Sequence, residues 1–175
     1  NTGYIGAGSQ TAFTTTILKT TNSGLNWVSV YSSSSNYITN IGVIDANNVV
    51  AAFSNGTLLR SSNGGTNWSE ASNGLFGFVY SFSFLNSTTG FAVGGSGKVS
   101  RTTNGGFSWD SLVSPSMGNW SFYQVKTISA SEVYLVGDPS AVYKSTDLGV
   151  TWNSLPISLP NLNTYIWYGF DKIGS

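Results

Sequence analysis

Seven carboxylates, two arginines and five lysines are the only formally charged side chains in this chain of 175 residues. Two carboxylates about 5–10 Å apart would suit glycoside hydrolysis, one as acid and the other as base or nucleophile. The candidates are Asp45, Glu70, Asp110, Glu132, Asp138, Asp147 and Asp171. Asp45 and Glu132 read as turn residues between first and second strands, and Glu70 and Asp110 as occupants of matching places on an outer strand. Asp147 belongs to a repeated motif. Only Asp138, in Gly137-Asp138-Pro139, lies in a turn open to a ligand, and one carboxylate does not make a pair. The chain has no histidine and no cysteine. Histidine bases, cysteine nucleophiles, thiolate zinc sites and disulfides are therefore excluded. Tyrosine and serine abound, but no neighbouring base is visible to activate them. We expect no catalytic residue, no metal and no cofactor.

Aromatic side chains offer the other chemistry. They concentrate in four segments of differing sequence: Tyr31–Tyr37, Ser72–Tyr80, Ser114–Tyr123 and Pro160–Trp167. Rigid rings beside Asn and Ser suit sugar stacking or peptide anchoring. The expected ligand-binding set is Tyr37, Phe76, Phe78, Trp120, Tyr123, Asp138 and Trp167. The segments also hold Tyr80, Phe122 and Tyr165, and a competing reading has many of the rings starting an inner strand and packing between sheets, Trp120 and Tyr37 less so because polar residues flank them.

What must position these loops is a repeat. Four segments align without gaps, at 20–27, 61–68, 102–109 and 145–152, each preceded by a cation: Lys19, Arg60, Arg101 or Lys144. Their closing tryptophans, Trp27, Trp68, Trp109 and Trp152, recur about every 40 residues, the length of a propeller blade. Around them lie apolar runs of four to six residues bounded by Gly, Asn and Ser, such as Val49-Val-Ala-Ala-Phe53 and Val133-Tyr-Leu-Val136, which read as strands. No segment carries a helical period. The expected fold is all-β: a single β-propeller, or propeller segment, spanning 1–175, with four-stranded antiparallel blades. The first residues align partway into a unit, Asn1–Ile5 with Thr88–Ala92, and Tyr168–Ser175 aligns with the inner strand of a next unit. A small closed ring and part of a larger one both have such ends.

The nonapeptide resembles the Asp-box, or BNR repeat, with the pattern Ser/Thr-x-Asp-x-Gly-x-Thr-Trp. Ser145, Asp147, Gly149, Thr151 and Trp152 match throughout, whereas Asn22, Asn63 and Asn104 replace the aspartate. In such a box the Asn or Asp and the Ser or Thr would bond nearby backbone and hold the turn between the outer two strands. Gly24, Gly65, Gly106 and Gly149 would take positive φ, and the tryptophan would cover the turn. Asp-boxes occur in sialidases, other secreted glycosidases, sorting receptors and photosystem II assembly-factor propellers. The cadence Thr102-x-Asn-Gly-Gly-x-x-Trp109 looks most like the last group. That resemblance implies six to ten blades more often than four, and so further blades from a longer chain or from self-association. A sialidase would need three arginines to clamp its substrate, and two cannot supply them. A sialidase-like glycoside hydrolase remains only if its catalytic residues lie elsewhere.

Composition narrows the partners. Charged residues make up 8% of the chain against about 25% in an average soluble protein, and the formal charges cancel. Nucleic-acid binding by phosphate neutralisation is thereby excluded. No apolar run approaches the ~20 residues of a membrane span. A surface of Ser, Thr, Asn and Gly leads us to expect a bacterial exported protein, secreted or at the cell surface. A start at Asn1 without Met suggests a piece of a longer precursor. The partner expected is a protein or a glycan, bound by the aromatic loop face of a non-catalytic scaffold.

Overall fold

The computed structural model describes residues 1–71, 77–112, 121–138, 141–156 and 171. Fifteen strands form among them, and no helix. The first sheet holds β1 (Gly3–Ser9), β2 (Thr14–Thr20) and β3 (Val28–Ser33). The second holds β4 (Ile38–Val43), β5 (Val49–Phe53), β6 (Leu58–Ser61) and β7 (Ser69–Glu70). The third runs from β8 (Val79–Phe84) through β9 (Gly90–Gly94) and β10 (Val99–Thr102) to β11 (Asp110–Leu112). The fourth runs from β12 (Phe122–Ser129) through β13 (Glu132–Gly137) and β14 (Ala141–Ser145) to β15 (Asn153–Ser154). All pairings are antiparallel between sequence neighbours, as meandering blades require. The first sheet starts at the second blade strand, as the alignment of Asn1–Ile5 predicts: Gly3 pairs with Thr20 as Gly90 pairs with Thr102. The segment Tyr168–Ser175 lies outside the described residues except for Asp171, which pairs with Lys126 on β12 at 3.1 Å.

Successive sheets pack through β1 on β4, β4 on β8 and β8 on β12; β4, β8 and β12 are the inner strands of their blades, and β1 is a second strand. The second strand of a blade is therefore covered on both faces, and so reads as an uninterrupted apolar run; all five residues of β5 and of β9 are buried. Strand alternation sends Val50 and Phe91 toward the following blade, and Ala51, Ala92 and Leu135 toward the preceding one. On the first blade the face toward a preceding blade stays open, with Ile5 43% and Trp27 37% exposed. The outer strands β7 and β15 are two residues long, polar and exposed, which suppresses pairing with other chains.

Each box is a knot of hydrogen bonds around one hydroxyl. The amides of Gly24, Gly65, Gly106 and Gly149 donate to the hydroxyls of Thr20, Ser61, Thr102 and Ser145 at 3.0, 2.8, 2.8 and 2.7 Å. Those hydroxyls donate in turn to Oδ1 of Asn22, Asn63, Asn104 and Asp147. The same Oδ1 accepts the backbone N–H of Asn26, Asn67, Ser108 or Thr151. The four glycines hold φ between 83° and 89°, which a Cβ would oppose. Trp109 and Trp152 are almost fully buried, and Trp152 meets Phe91 of the preceding blade edge-on.

In the first three blades the cation before the box reaches forward into the box of the next blade. Lys19 Nζ donates to the Gly64 carbonyl at 2.9 Å, Arg60 Nε to Gly105 at 2.7 Å, and Arg101 Nη1 to Leu148 at 2.8 Å. Arg60 also donates to Asn48 Oδ1 at 2.7 Å and lies 3.6 Å from the centre of the Phe107 ring. These positions are structural clasps between blades. Lys144, on the last described blade, pairs instead with Glu132 at 3.0 Å, which raises its pKa.

Two outcomes follow from these contacts. Arg60→Met keeps the apolar stem but leaves the Gly105 carbonyl and Asn48 without their charged donor. It should cost about 2–3 kcal/mol in urea-induced unfolding. Asp147 has its pKa lowered to about 2, chiefly by the Thr151 hydroxyl, then the Thr151 amide and the Ser145 hydroxyl. A depressed folded-state pKa contributes stability above the ordinary value of 3.8, lost as pH falls toward 2. Asp147→Asn, the amide already present in the other three boxes, should therefore give a shallower fall of Tm between pH 4 and pH 2, read by circular dichroism.

Candidate functional site

The end of the blades opposite the boxes is built by one device used three times. Just before each inner strand, a carbonyl accepts the first amide of the turn between second and third strands. Ser54 donates to Tyr37 at 2.9 Å, Gly95 to Phe78 at 3.3 Å, and Asp138 to Ser121 at 3.0 Å. Next comes a residue turned into the interface between blades: Ile38, Val79 or Phe122, the last two at most 1% exposed. The pairing then skips one residue, Thr39, Tyr80 or Tyr123, before resuming at Asn40, Ser81 and Gln124. An unpaired extra residue is a β-bulge, which re-aims its side chain out of the ladder. At Gly94 and Gly137 a Cβ would run into the carbonyls of Phe78 and Ser121, so the third and fourth blades need glycine there.

The re-aimed rings converge. Phe78 and Tyr80 lie stacked at 6.4 Å between centroids, and Tyr80 contacts Tyr123 at 5.3 Å. Tyr37 approaches Phe13 at 6.4 Å. Tyr37, Phe78 and Tyr80 wall a cavity of about 340 Å³ with Gly8, Gln10, Ile38 and Thr39. That volume lies at the lower end of the range for small-ligand pockets, and among the described residues its lining carries no charge. Tyr123 donates to Asp138 Oδ2 at 2.8 Å, which sets one carboxylate at the edge of the aromatic row. The other oxygen of Asp138 and the hydroxyl of Thr39 are buried without a hydrogen-bond partner among the described residues.

Of the expected binding set, Tyr37, Phe78, Tyr123 and Asp138 share this face, whereas Phe76, Trp120 and Trp167 lie outside the described residues. Phe122 follows the packing alternative: it is fully buried, edge-on to Tyr143 at 5.9 Å. Tyr80, Thr39 and Gln10 are site residues that the expected set omits. Tyr80 carries a detectable signal, since Phe78-Val79-Tyr80 and Ser121-Phe122-Tyr123 repeat one outward–inward–outward pattern. Thr39 and Gln10 lack a ring and give none.

The remaining carboxylates have other employment. Asp45 caps the Asn47 and Asn48 amides of its turn, bonds that lower its pKa, the Asn47 amide first. Glu132 accepts from Lys144 and from the Tyr134 hydroxyl at 2.7 Å. Glu70 and Asp110 do not occupy matching places: Asp110 pairs across from Arg101, whereas Ser69, not Glu70, pairs across from Arg60. The register relative to the tryptophan is the same in both blades: Asp110 follows Trp109 directly, whereas Glu70 lies two residues after Trp68, a difference that counting from the box shows.

Comparison with known proteins places this geometry. A family model described as photosynthesis system II assembly factor YCF48 matches residues 75–164. No curated protein matches the chain significantly. Among solved structures, YCF48 bound to D1 peptide is similar at 25% identity and TM-score 0.57, over 67% of this chain and 40% of that one. A GH74 enzyme of Niastella koreensis is similar at 20% identity and TM-score 0.68, over 88% of this chain and 28% of that one. YCF48 from Cyanidioschyzon merolae shares 15% identity at TM-score 0.57, over 83% and 49% of the two chains. The last two likenesses speak for the propeller fold alone, and the chain spans less than half the length of each of these three proteins. With its Asp-boxes, its antiparallel blades and a family match over half its length, the chain belongs to the YCF48 family of BNR-repeat propellers.

Proposed function

We propose that this chain is a non-catalytic propeller scaffold that binds a protein partner through its aromatic end, and that it works as a module of an exported bacterial protein. The observation that carries the reading is the set of bulges that withdraw Thr39, Tyr80 and Tyr123 from the strand ladders: Thr39 and Tyr80 wall one aromatic cavity whose described lining is uncharged, and Tyr123 lies against Tyr80. Rings held rigidly by a scaffold give large contact area at little entropic cost, the property that makes tyrosine frequent in binding hot spots. Catalysis finds little support: the described carboxylates cap turns, pair with lysines, lie singly on outer strands or, as Asp138, accept from a tyrosine, and none lines the aromatic-walled cavity. A protein ligand is favoured over a glycan because a family relative, YCF48, has a solved structure with D1 peptide bound. The low charge and the abundance of Ser, Thr, Asn and Gly support the exported setting.

The reading is tested by panning a displayed peptide library and a glycan array against the chain in parallel. Selected peptides should lose about tenfold in affinity on Tyr80→Ala, the effect of removing a hot-spot ring, read by biolayer interferometry. Recovery of glycans alone, or peptides indifferent to Tyr80→Ala, would remove the proposal.

A further inference from the structure

One turn at the rim of the aromatic cavity departs from its counterparts. Between the second and third strands of the second and third blades, the residue just before pairing resumes is Gly56 or Gly97, at a φ of 86° or 67°. Backbone in this left-handed region suits glycine and opposes a bulky side chain. The first blade sets Phe13 at the matching place, before Thr14, with a φ of 51°. The rest of that turn is pinned by Ser9, whose hydroxyl accepts the Ala12 amide at 3.1 Å and lies 3.1 Å from the Thr11 hydroxyl. Burial does not offset the strain, since Phe13 is 52% exposed beside Tyr37. Folding therefore gains less from phenylalanine here than it would from glycine. Strained residues of this kind cluster at ligand clamps. Gln10, of the same turn, lines the cavity with Tyr37, Phe78 and Tyr80.

A charged side chain entering this cavity would lose its hydration with no counter-charge among the described lining residues. An apolar one instead covers rings that stand open to water, Phe78 at 43% and Tyr80 at 37% exposure. On the reading of this end as a peptide-binding surface, we propose that it selects an extended segment with two large uncharged side chains two residues apart. One fills the cavity walled by Tyr37, Phe78 and Tyr80, and the other lies on Phe13. Side chains at i and i+2 of an extended segment point the same way about 7 Å apart, close to the 6.4 Å between the Tyr37 and Phe13 rings. Phe13 is then a binding residue and not a part of the core, and its strained backbone is explained by the ligand it meets.

The blocked peptide Gly-Ser-Leu-Ser-Leu-Ser-Gly tests this by NMR titration of the 175-residue chain, beside versions with both leucines replaced by lysine, by glutamate or by serine. The leucine peptide should bind about tenfold or more tightly than each of the other three. Phe13→Gly should weaken it about fivefold while Tm, read by circular dichroism, stays the same or rises, a combination that a packing role would not give. Lysine, glutamate or serine peptides that bind as tightly as the leucine peptide would overturn the selectivity. Peptide binding itself would still stand if Tyr80→Ala weakened them. An unchanged affinity in Phe13→Gly, or a lowered Tm, would overturn the assignment of Phe13. Failure of the leucine peptide where library-selected peptides bind would sink the selectivity alone. Failure of these and of every library-selected peptide would remove the underlying reading as well.

Discussion

A single hydroxyl per blade, on Thr20, Ser61, Thr102 and Ser145, is the constraint from which the rest of the structure follows. It accepts the amide of a left-handed glycine and donates to the Asn or Asp two residues on. That pair of bonds closes the turn between the outer strands at one radius in every unit. Each bond contributes about 1 kcal/mol, but the geometric effect is larger than the energetic one. With the turn closed, the carbonyl just before the glycine points at the preceding blade, where Lys19, Arg60 or Arg101 bonds it. Removing the hydroxyl would thus loosen a turn, a clasp and the seat of a tryptophan together.

The two ends of the blades divide their duties along chemical lines. At the box end the charged and amide groups of the repeat bond one another or the backbone, leaving little to offer a partner. Asp45 and Asp147 both have their charged forms stabilised there by local donors. At the opposite end the carbonyls of Tyr37, Phe78 and Ser121 fix the strand entries, and what projects beyond them is mainly aromatic. Rigidity at the first end is what allows side chains at the second to hold a shape. The inner strands help by bonding across blades: Ser83 meets Thr127 at 2.6 Å, and Asn40 donates to the Tyr80 carbonyl at 3.0 Å.

Much of this was legible in the residues because the box is local. Hydroxyl, amide, glycine and tryptophan lie within nine positions, so their spacing reports the turn directly, and β5 falls on the apolar run Val49–Phe53. The cation before each box could be read as structural from its recurrence. Its acceptor could not, lying 45 to 47 residues further along. The bulges were hidden for a related reason. A bulge is a property of two strands in register, and nothing in Phe78-Val79-Tyr80 alone says that Tyr80 pairs with no one. Tyr80 therefore read as one strand-entry ring among several, and Thr39 did not register at all. The offset of Glu70 from Asp110 is of a different kind, since counting from Trp68 and Trp109 shows it. Phe76, Trp120 and Trp167 lie outside the described residues, so their part in the aromatic end rests on their sequence.

Residues 39, 80 and 123 stand outside the pairing scheme of their sheets, and this has an evolutionary corollary. A substitution there exchanges a recognition group without shifting a neighbour's alternation or opening a void in the interior. Threonine and tyrosine already occupy equivalent stations in adjacent units. Duplicated blades of this kind can therefore diversify what they grip, one station at a time, on a chassis that need not change.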